Sequence, residues 1–406
     1  MVPKRWQATQ IGDVATFSSG GTPSKQTADY WGGGEPWISG KDLKSHYLNK
    51  SIDTLTEKGF ATAKKAPQGA SLILVRGMTL LKDFPVGFAS REVAFNQDIK
   101  ALVPKKNVDG LFLSFLLVAE KNRIRQLVST AGHGTGRLDT CLIQGYPINL
   151  PPLPEQKKIA QILSTWDQAI TATERLLGNS QQRKKWLMQQ LLTGRKRLPG
   201  FEREWGKVTL GCIFRRVTTR NDGQSTNVVT ISGQQGLIRQ QEFFKKSVAS
   251  ETLDNYFLLK KGQFAYNKSY SNGYPMGAIK RLNRYKDGVV TTLYICFELA
   301  DELTADGDFY EQYFESGQLI KGLMQIAHEG ARAHGLLNVK PSDFFSLKVH
   351  KPPIDEQKAI ARLLVTTDRE LQAQKSRLEQ LKIEKKALMQ QLLTGKRRVK
   401  LETEAA

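Results

Sequence analysis

The chain of 406 residues is poor in cysteine: it has three, Cys141, Cys212 and Cys296, and no Cys-x-x-Cys pair. An odd, scattered count builds neither a disulfide framework nor a zinc site, and suits small apolar filler in a reducing compartment. The five histidines (His46, His133, His328, His334 and His350) have no metal-ligand spacing. The opening MVPKRWQATQ lacks the apolar stretch of a signal peptide. The longest apolar run, LFLSFLLVA at 111–119, is too short to span a bilayer. These absences lead to the expectation of a soluble cytoplasmic protein with no metal site and no membrane partner.

Acidic charge is also scarce. Sixty Lys and Arg stand against 39 Asp and Glu, a net charge of +21 with a pI near 9.8, which points to a polyanion or an acidic surface as partner. Residues 1–150 carry +7, 151–197 carry +6, 198–350 carry +3 and 351–406 carry +5. No single basic tail accounts for the excess, which argues against a disordered polycationic arm.

What the chain has, it has twice. EQKKIA at 155–160 returns as EQKAIA at 356–361, and LMQQLLTG at 187–194 returns unchanged at 388–395, both 201 residues later. A repeat search comes first in a long chain. Between the two motifs sequence drifts but length does not, so the segments behave as rulers. Ile159, Leu163, Trp166, Ile170, Thr173, Leu177, Ser180, Lys184, Leu187 and Leu191 follow alternating steps of four and three. So do Ile360, Leu364, Thr367, Leu371, Gln374, Leu378, Leu381, Lys385, Leu388 and Leu392. That is the seam of a left-handed coiled coil. Each segment opens after a proline pair and closes on Thr-Gly, with Gly194 and Gly395 where a C′ glycine belongs. Glu155 and Glu356 place negative charge at the helix starts. Two helices of about 40 residues, roughly 60 Å each, are predicted.

The remaining segments read as mixed α/β (α+β) globules. SLILV (71–75), EVAFN (92–96) and IKALV (99–103) are predicted strands, followed by a helix over 110–128. In the second globule the predicted strands are NVVTIS (227–232), QFAYN (263–267), MGAIKRL (276–282) and VVTTLYICFEL (289–299), with a helix near 308–326. Trp6 with Ile11-Gly12 is echoed by Trp205 with Leu210-Gly211. The organisation is therefore a tandem duplication: globule 1–150, helix 151–197, globule 198–350, helix 351–398 and a tail 399–406. Connectivity makes side-by-side helices antiparallel, with the globules at opposite ends about a pseudo-twofold axis. Aligned helix ends give facing residues that sum to about 551, which sets Trp166 against Lys385 and Lys184 against Thr367. The indole is expected to cover the lysine stem, a contact without a counterpart in the other copy.

No motif commits the chain to catalysis. NLPP at 149–152 has an extra leucine and no following aromatic for a methyltransferase loop. SGKDL at 39–43 lacks the phosphate-loop spacing, and GGTPS and GGGE match no dinucleotide fingerprint. Glu384-Lys385-Lys386 lies within a helix and reads as a solvated charge cluster, and no carboxylate pair is spaced for acid–base work. Nucleic-acid binding fits better. Two basic globules on a rigid spacer suit two short sites on one duplex, with Lys and Arg on phosphates and polar groups on base edges.

At these residues the chain resembles the specificity subunit of Type I restriction-modification systems. LPPLPEQKKIA at 150–160 and the Leu-Leu-Thr-Gly exits at Gly194 and Gly395 are similar to that family's conserved regions. GGTPS (20–24), YWGG (30–33), EPWIS (35–39) and NQDIKAL (96–102) are similar to its first target-recognition domain. The second copy departs slightly, with KPPIDEQ for LPPLPEQ. The resemblance implies two target-recognition domains that read a bipartite, asymmetric double-stranded DNA target across a gap set by the helices. It implies no catalysis in this chain and no cofactor bound by it. Two modification subunits would use S-adenosylmethionine to methylate adenine, and restriction subunits would add ATP- and Mg-dependent translocation and cleavage. By analogy and chemistry the candidate DNA-binding residues are Thr22, Ser24, Lys25, Arg76, His133, Thr135 and Arg137 in the first domain. In the second they are Gln234, Gln235, Asn267, Lys268, Tyr270, Arg332 and His334. Asp301, Glu302, Asp306 and Asp308 are expected to face away from DNA. Two other readings stay open here: a self-contained methyltransferase or nuclease with diverged motifs, and a coiled-coil scaffold for acidic proteins.

Overall fold

A computed structural model describes residues 3–131, 134–243, 252–271, 273–329 and 337–401. The chain divides into two compact units, Met1–Glu174 with Ser376–Ala406, and Arg175–Lys375. Each unit holds one globule and a share of both long helices, Leu153–Leu191 and Ile354–Leu392, which are 39 residues each and unbroken.

In the first unit an almost entirely antiparallel sheet runs in the order Ala15–Ser19, Ile99–Pro104, Ser71–Leu74, Val86–Ala89, Tyr47–Leu48. Only the short last strand pairs in parallel. Helix Gly110–Arg125 packs on this sheet through Phe112, Leu113, Phe115, Leu116 and Leu117, all buried. Asp109 caps it by accepting from the Phe112 amide at 2.8 Å, and it ends three residues before the predicted 128. A second sheet (Thr54–Leu55, Trp31–Ile38, Val93–Phe95, Lys65–Ala66) carries Trp37 and Ala94 inward.

In the second unit the central sheet runs Phe214–Val217, Ile295–Leu299, Phe264–Asn267, Ala278–Arg281. Its core is aromatic: Phe214, Phe264 and Phe297 meet with ring centroids 5.1–5.6 Å apart, and Phe314 closes over them. Two predicted elements divide. The run 289–299 is two strands, Asp287–Val290 and Ile295–Leu299, because residues 291–294 turn, with the Tyr294 amide bonded back to Thr291. The helix near 308–326 is Gly307–Glu315 and Ile320–Ile326, broken at Gly317, whose φ of +78° only glycine adopts without strain.

Both units close in the same way. The first strand of each globule pairs antiparallel with its last: Gln7–Gln10 with Pro147–Leu150, and Gly206–Thr209 with Lys348–Lys351. The last strand runs straight into a long helix, so the helix entry is fixed to the globule's own beginning. The repeated Glu-Gln then locks it. Glu155 is 2% exposed and accepts from the Trp6 indole and from both arms of Arg398, while Glu356 is fully buried and accepts from Trp205 and Arg197. Gln156 Oε1 accepts from the Asp109 amide, and its Nε2 donates to Asn107 and Pro151 carbonyls. Gln357 does the same with Asp306, Thr304 and Pro352. The role expected from the sequence for these glutamates, charge at a helix start, is therefore the smaller part of what they do. Hydrogen bonding to Glu155 and Glu356 raises the pKa of Arg398 and Arg197 above the ordinary guanidinium range.

The seam positions are buried or half-buried throughout. Ile159, Leu163, Leu191, Ile360, Leu364, Leu371, Leu378 and Leu392 are buried, and Trp166, Ile170, Leu177, Leu187 and Leu388 are half-buried. Within the first unit Lys385 bonds Asp167 and Lys382 bonds Glu174, an antiparallel pairing. Within the second, Lys184 bonds Asp368. Facing residues sum to 552 for both seam lysines, one more than expected, and the partner of Lys385 is Asp167 rather than Trp166. The Lys385 ammonium also lies 5.1 Å from the Phe115 ring. A half-buried carboxylate holds a lysine better than an indole face does, since it meets charge with charge and a hydrogen bond. Trp166 instead lines a concavity of about 550 Å³ with Leu388 and Leu392. The contact is symmetric after all, Asp167–Lys385 in one unit matching Asp368–Lys184 in the other.

Replacing Glu155 or Glu356 by Gln should destabilise the protein by about 1.5–3 kcal/mol each, the worth of hydrogen bonds to a charged group. The same change at exposed Glu379 should stay within about 0.5 kcal/mol in urea unfolding. His46 stacks on Phe115 at 5.0 Å, and burial lowers its pKa to about 4, Lys385 adding to the depression and Asp167 opposing it. The folded ring stays neutral where the unfolded one protonates. Its contribution to stability is therefore complete above about pH 6.5 and declines as pH falls toward 4. Between pH 7 and 5 the unfolding midpoint of His46→Phe should fall less steeply than that of the parent.

Candidate nucleic-acid interface

In the first unit a three-stranded ribbon, Ser129–Ala131, Thr135–Arg137, Arg76–Gly77, sets Arg137 directly opposite Arg76. Both arginines are exposed, and among the described residues neither has a carboxylate partner. Like charges facing each other across strands cost stability, so this pair is retained against local energetics. Past Arg137 the chain alternates: Leu138 is buried and Asp139 is exposed again. Lys100 donates to Ser19 Oγ from the adjacent strand, and Gln97 Oε1 accepts from Thr22 Oγ1 at 2.6 Å. Ser19, Arg76, Gln97, Lys100, Arg137 and Asp139 line one concavity of about 390 Å³.

Of the sequence candidates, Arg76 and Arg137 thus come together, and Thr22 joins them through Gln97. Thr135 is half-buried in the same ribbon. Ser24 and Lys25 are exposed on the preceding loop, where the Ser24 carbonyl accepts from the Trp31 indole at 3.1 Å, and they do not line the concavity. His133 lies outside the described residues. Gln97 and Lys100 escaped individual notice in the sequence. Their signal was NQDIKAL, which contains both.

In the second unit, Gln234 and Gln235 form the exposed turn between Val229–Ser232 and Gly236–Arg239. The turn is held from beneath. Tyr274 Oη donates to the Gly233 carbonyl at 2.7 Å and meets Glu315 at 2.8 Å, and buried Lys280 bonds both Tyr274 and Glu315. Burial, then Glu315, drives the Tyr274 pKa upward, keeping its hydroxyl protonated. Gln234 shares a concavity of about 620 Å³ with Asp308, Glu311 and Asp368 and with Arg369 and Lys375, a setting of mixed charge. Asp308 itself pairs with Arg281, and Asp306 caps the helix Gly307–Glu315. Asn267 ends the strand Phe264–Asn267, and Lys268 and Tyr270 follow it. Burial, then Arg216, lowers the Lys268 pKa, and Tyr270 is 65% exposed. A lysine beside an arginine and an exposed aromatic is the more cationic surface of this unit. Arg332 and His334 lie outside the described residues.

Residues 3–178 match the family model described as "Type I restriction modification DNA specificity domain". The chain is 28% identical over 160 residues to the Type I restriction enzyme EcoR124I/EcoR124II specificity subunit of Escherichia coli, a match covering 39% of this chain and 40% of that protein. It is 25% identical over 429 residues to the Type I restriction enzyme MjaVIII specificity subunit of Methanocaldococcus jannaschii, covering 98% and 94%. Its fold is similar to the crystal structure of the S subunit of a Type I restriction-modification system from M. genitalium, with a TM-score of 0.61 at 15% identity, over 97% of this chain and 99% of that one.

Removing the hydroxyl with Tyr274→Phe should free the Gly233 carbonyl and loosen the turn that carries Gln234 and Gln235. Amide hydrogen exchange at 234–236 should accelerate by up to about tenfold, the equivalent of one lost hydrogen bond, while the central sheet keeps its protection.

Proposed function

We propose that this chain is a specificity subunit of a Type I restriction-modification system, the non-catalytic reader of a two-part DNA target. Its first globule reads one part and its second the other. The two long helices set the gap, and the chain assembles two modification subunits and the restriction subunits around that target in the cytoplasm. Adenine methylation with S-adenosylmethionine, and ATP- and Mg-dependent cleavage, then belong to those partners. The E. coli match covers only two-fifths of that protein, so the reading is carried chiefly by this chain's own construction.

One observation supports it most. The helix entry is built twice from the same residues, Glu155-Gln156 and Glu356-Gln357, at a constant offset, beneath globules whose exposed polar faces differ. Identical anchors under different surfaces suit two readers with different half-targets, hence an asymmetric sequence. Each helix, roughly 58 Å long at 1.5 Å per residue, is comparable to one and a half turns of B-DNA. The spread of positive charge over both globules supplies the phosphate attraction that non-specific affinity needs.

Mapping methylated adenines in a host that expresses the chain with its modification subunit should return a two-part motif with a fixed gap. Exchanging residues 198–350 for those of a relative should change one part only. Methyl transfer by the purified chain alone would instead make it a self-contained methyltransferase. Binding with no preference for one DNA sequence over random DNA would leave only a scaffold role.

A further inference from the structure

The concavity of the first unit is not a plain phosphate seat. Arg137 and Asp139 are both exposed, two residues apart on an extended stretch, and buried Leu138 between them forms part of the floor of the same concavity. Residues two apart on such a stretch stand roughly 6.5–7 Å apart, the scale of one base pair's edge. Asp139 lines the concavity together with Arg76, Lys100 and Arg137, yet forms no ion pair with any of them among the described residues. One of its oxygens caps the short helix that follows, accepting from the Cys141 amide at 2.8 Å, and among the described residues the other has no hydrogen-bond donor. A carboxylate in the lining works against phosphate, since like charges repel. It suits a base edge that offers a donor beside acceptors. In the major groove that edge belongs to a G·C pair: guanine presents O6 and N7 as acceptors, and cytosine presents its N4 amine as donor.

Resting on the proposed DNA-reading role, we infer that this concavity reads one G·C pair of the first half-target from the major groove. Arg137 donates its two-pronged guanidinium to guanine O6 and N7, and the free oxygen of Asp139 accepts from cytosine N4. Arg76 across the ribbon and Lys100 on the neighbouring strand hold the phosphates that seat the duplex. Gln97, tied to Thr22 by its carbonyl oxygen, braces the rim. The unpaired arginines opposed across the ribbon then have their electron-rich partner only in the complex, which explains why the free protein tolerates them.

The experiment selects bound duplexes from a randomised library with the full-length chain in complex with its modification subunits, comparing the parent with Arg137→Gln, Asp139→Asn and Arg76→Gln. Asparagine at 139 keeps the helix cap. The parent should enrich a two-part motif containing a G·C pair in one part. Arg137→Gln should reduce the preference at that pair by about ten- to a hundredfold, Asp139→Asn should relax the same pair, and neither should alter the other part of the motif. That untouched part shows that each variant is folded. Arg76→Gln should weaken binding to all sequences alike and lower the slope of log affinity against log salt by about one. If Arg137→Gln lowers the salt slope and leaves the motif intact, Arg137 is a phosphate contact and the inference is overturned while the DNA-reading role stands. If the parent enriches no motif, both fall.

Discussion

A carboxylate with almost no solvent exposure is costly unless donors meet its oxygens, and both oxygens of Glu155 and of Glu356 are met. An indole N–H from the start of the globule and a forked guanidinium from beyond the end of the other long helix converge on each. The rest of each unit follows from that meeting point. It ties three distant stretches together: the globule's first residues, the entry of one helix and the exit of the other. The glycine exits belong to the same joint. Gly194 and Gly395 turn with φ near +70°, and a side chain on them would press into Trp205 or Pro3. A mirrored glutamine then holds the loop that leads into the globule's own capped helix, so long helix and globule share one root.

The seam repeats the logic at a second level. A lysine among leucines weakens a helix pair but fixes its register, because only one alignment supplies the aspartate. Asp167 and Asp368 supply it, and each is in turn touched by its own globule: Tyr47 donates to Asp167 and Gln312 to Asp368. The polar seam positions are thus joints between helix and globule as well as register marks. Burial of His46 against Phe115, beside the same ion pair, places a titratable ring at one of these joints.

The candidate DNA-binding surfaces obey different rules from the joints. Where the joints pair their charges within the chain, the first unit's ribbon leaves two arginines without a carboxylate partner among the described residues. In the second unit the most exposed candidates divide between a concavity of mixed charge at Gln234 and a stretch at Lys268 and Tyr270, so the two globules present different chemistry on equivalent roots.

Periodicity and repetition alone determined the helices, their ends, their antiparallel sense within each unit and the register to within one residue, because a seven-residue seam and a fixed offset leave little freedom. Strands with uninterrupted apolar runs, such as Ser71–Leu74 and Ile99–Pro104, were equally legible. Tertiary structure alone decided what Glu155 and Glu356 are for, since Arg398 and Arg197 reach them only after the helices fold back. It also decided that Lys385 takes Asp167 over Trp166, a choice between adjacent residues that periodicity cannot make. And it alone gathered Arg76, Lys100, Arg137 and Asp139, separated by up to 63 positions in sequence, into one concavity. Pattern along a chain reports which face is buried; which charges meet on an exposed face depends on strand pairing, and pairing is a long-range choice.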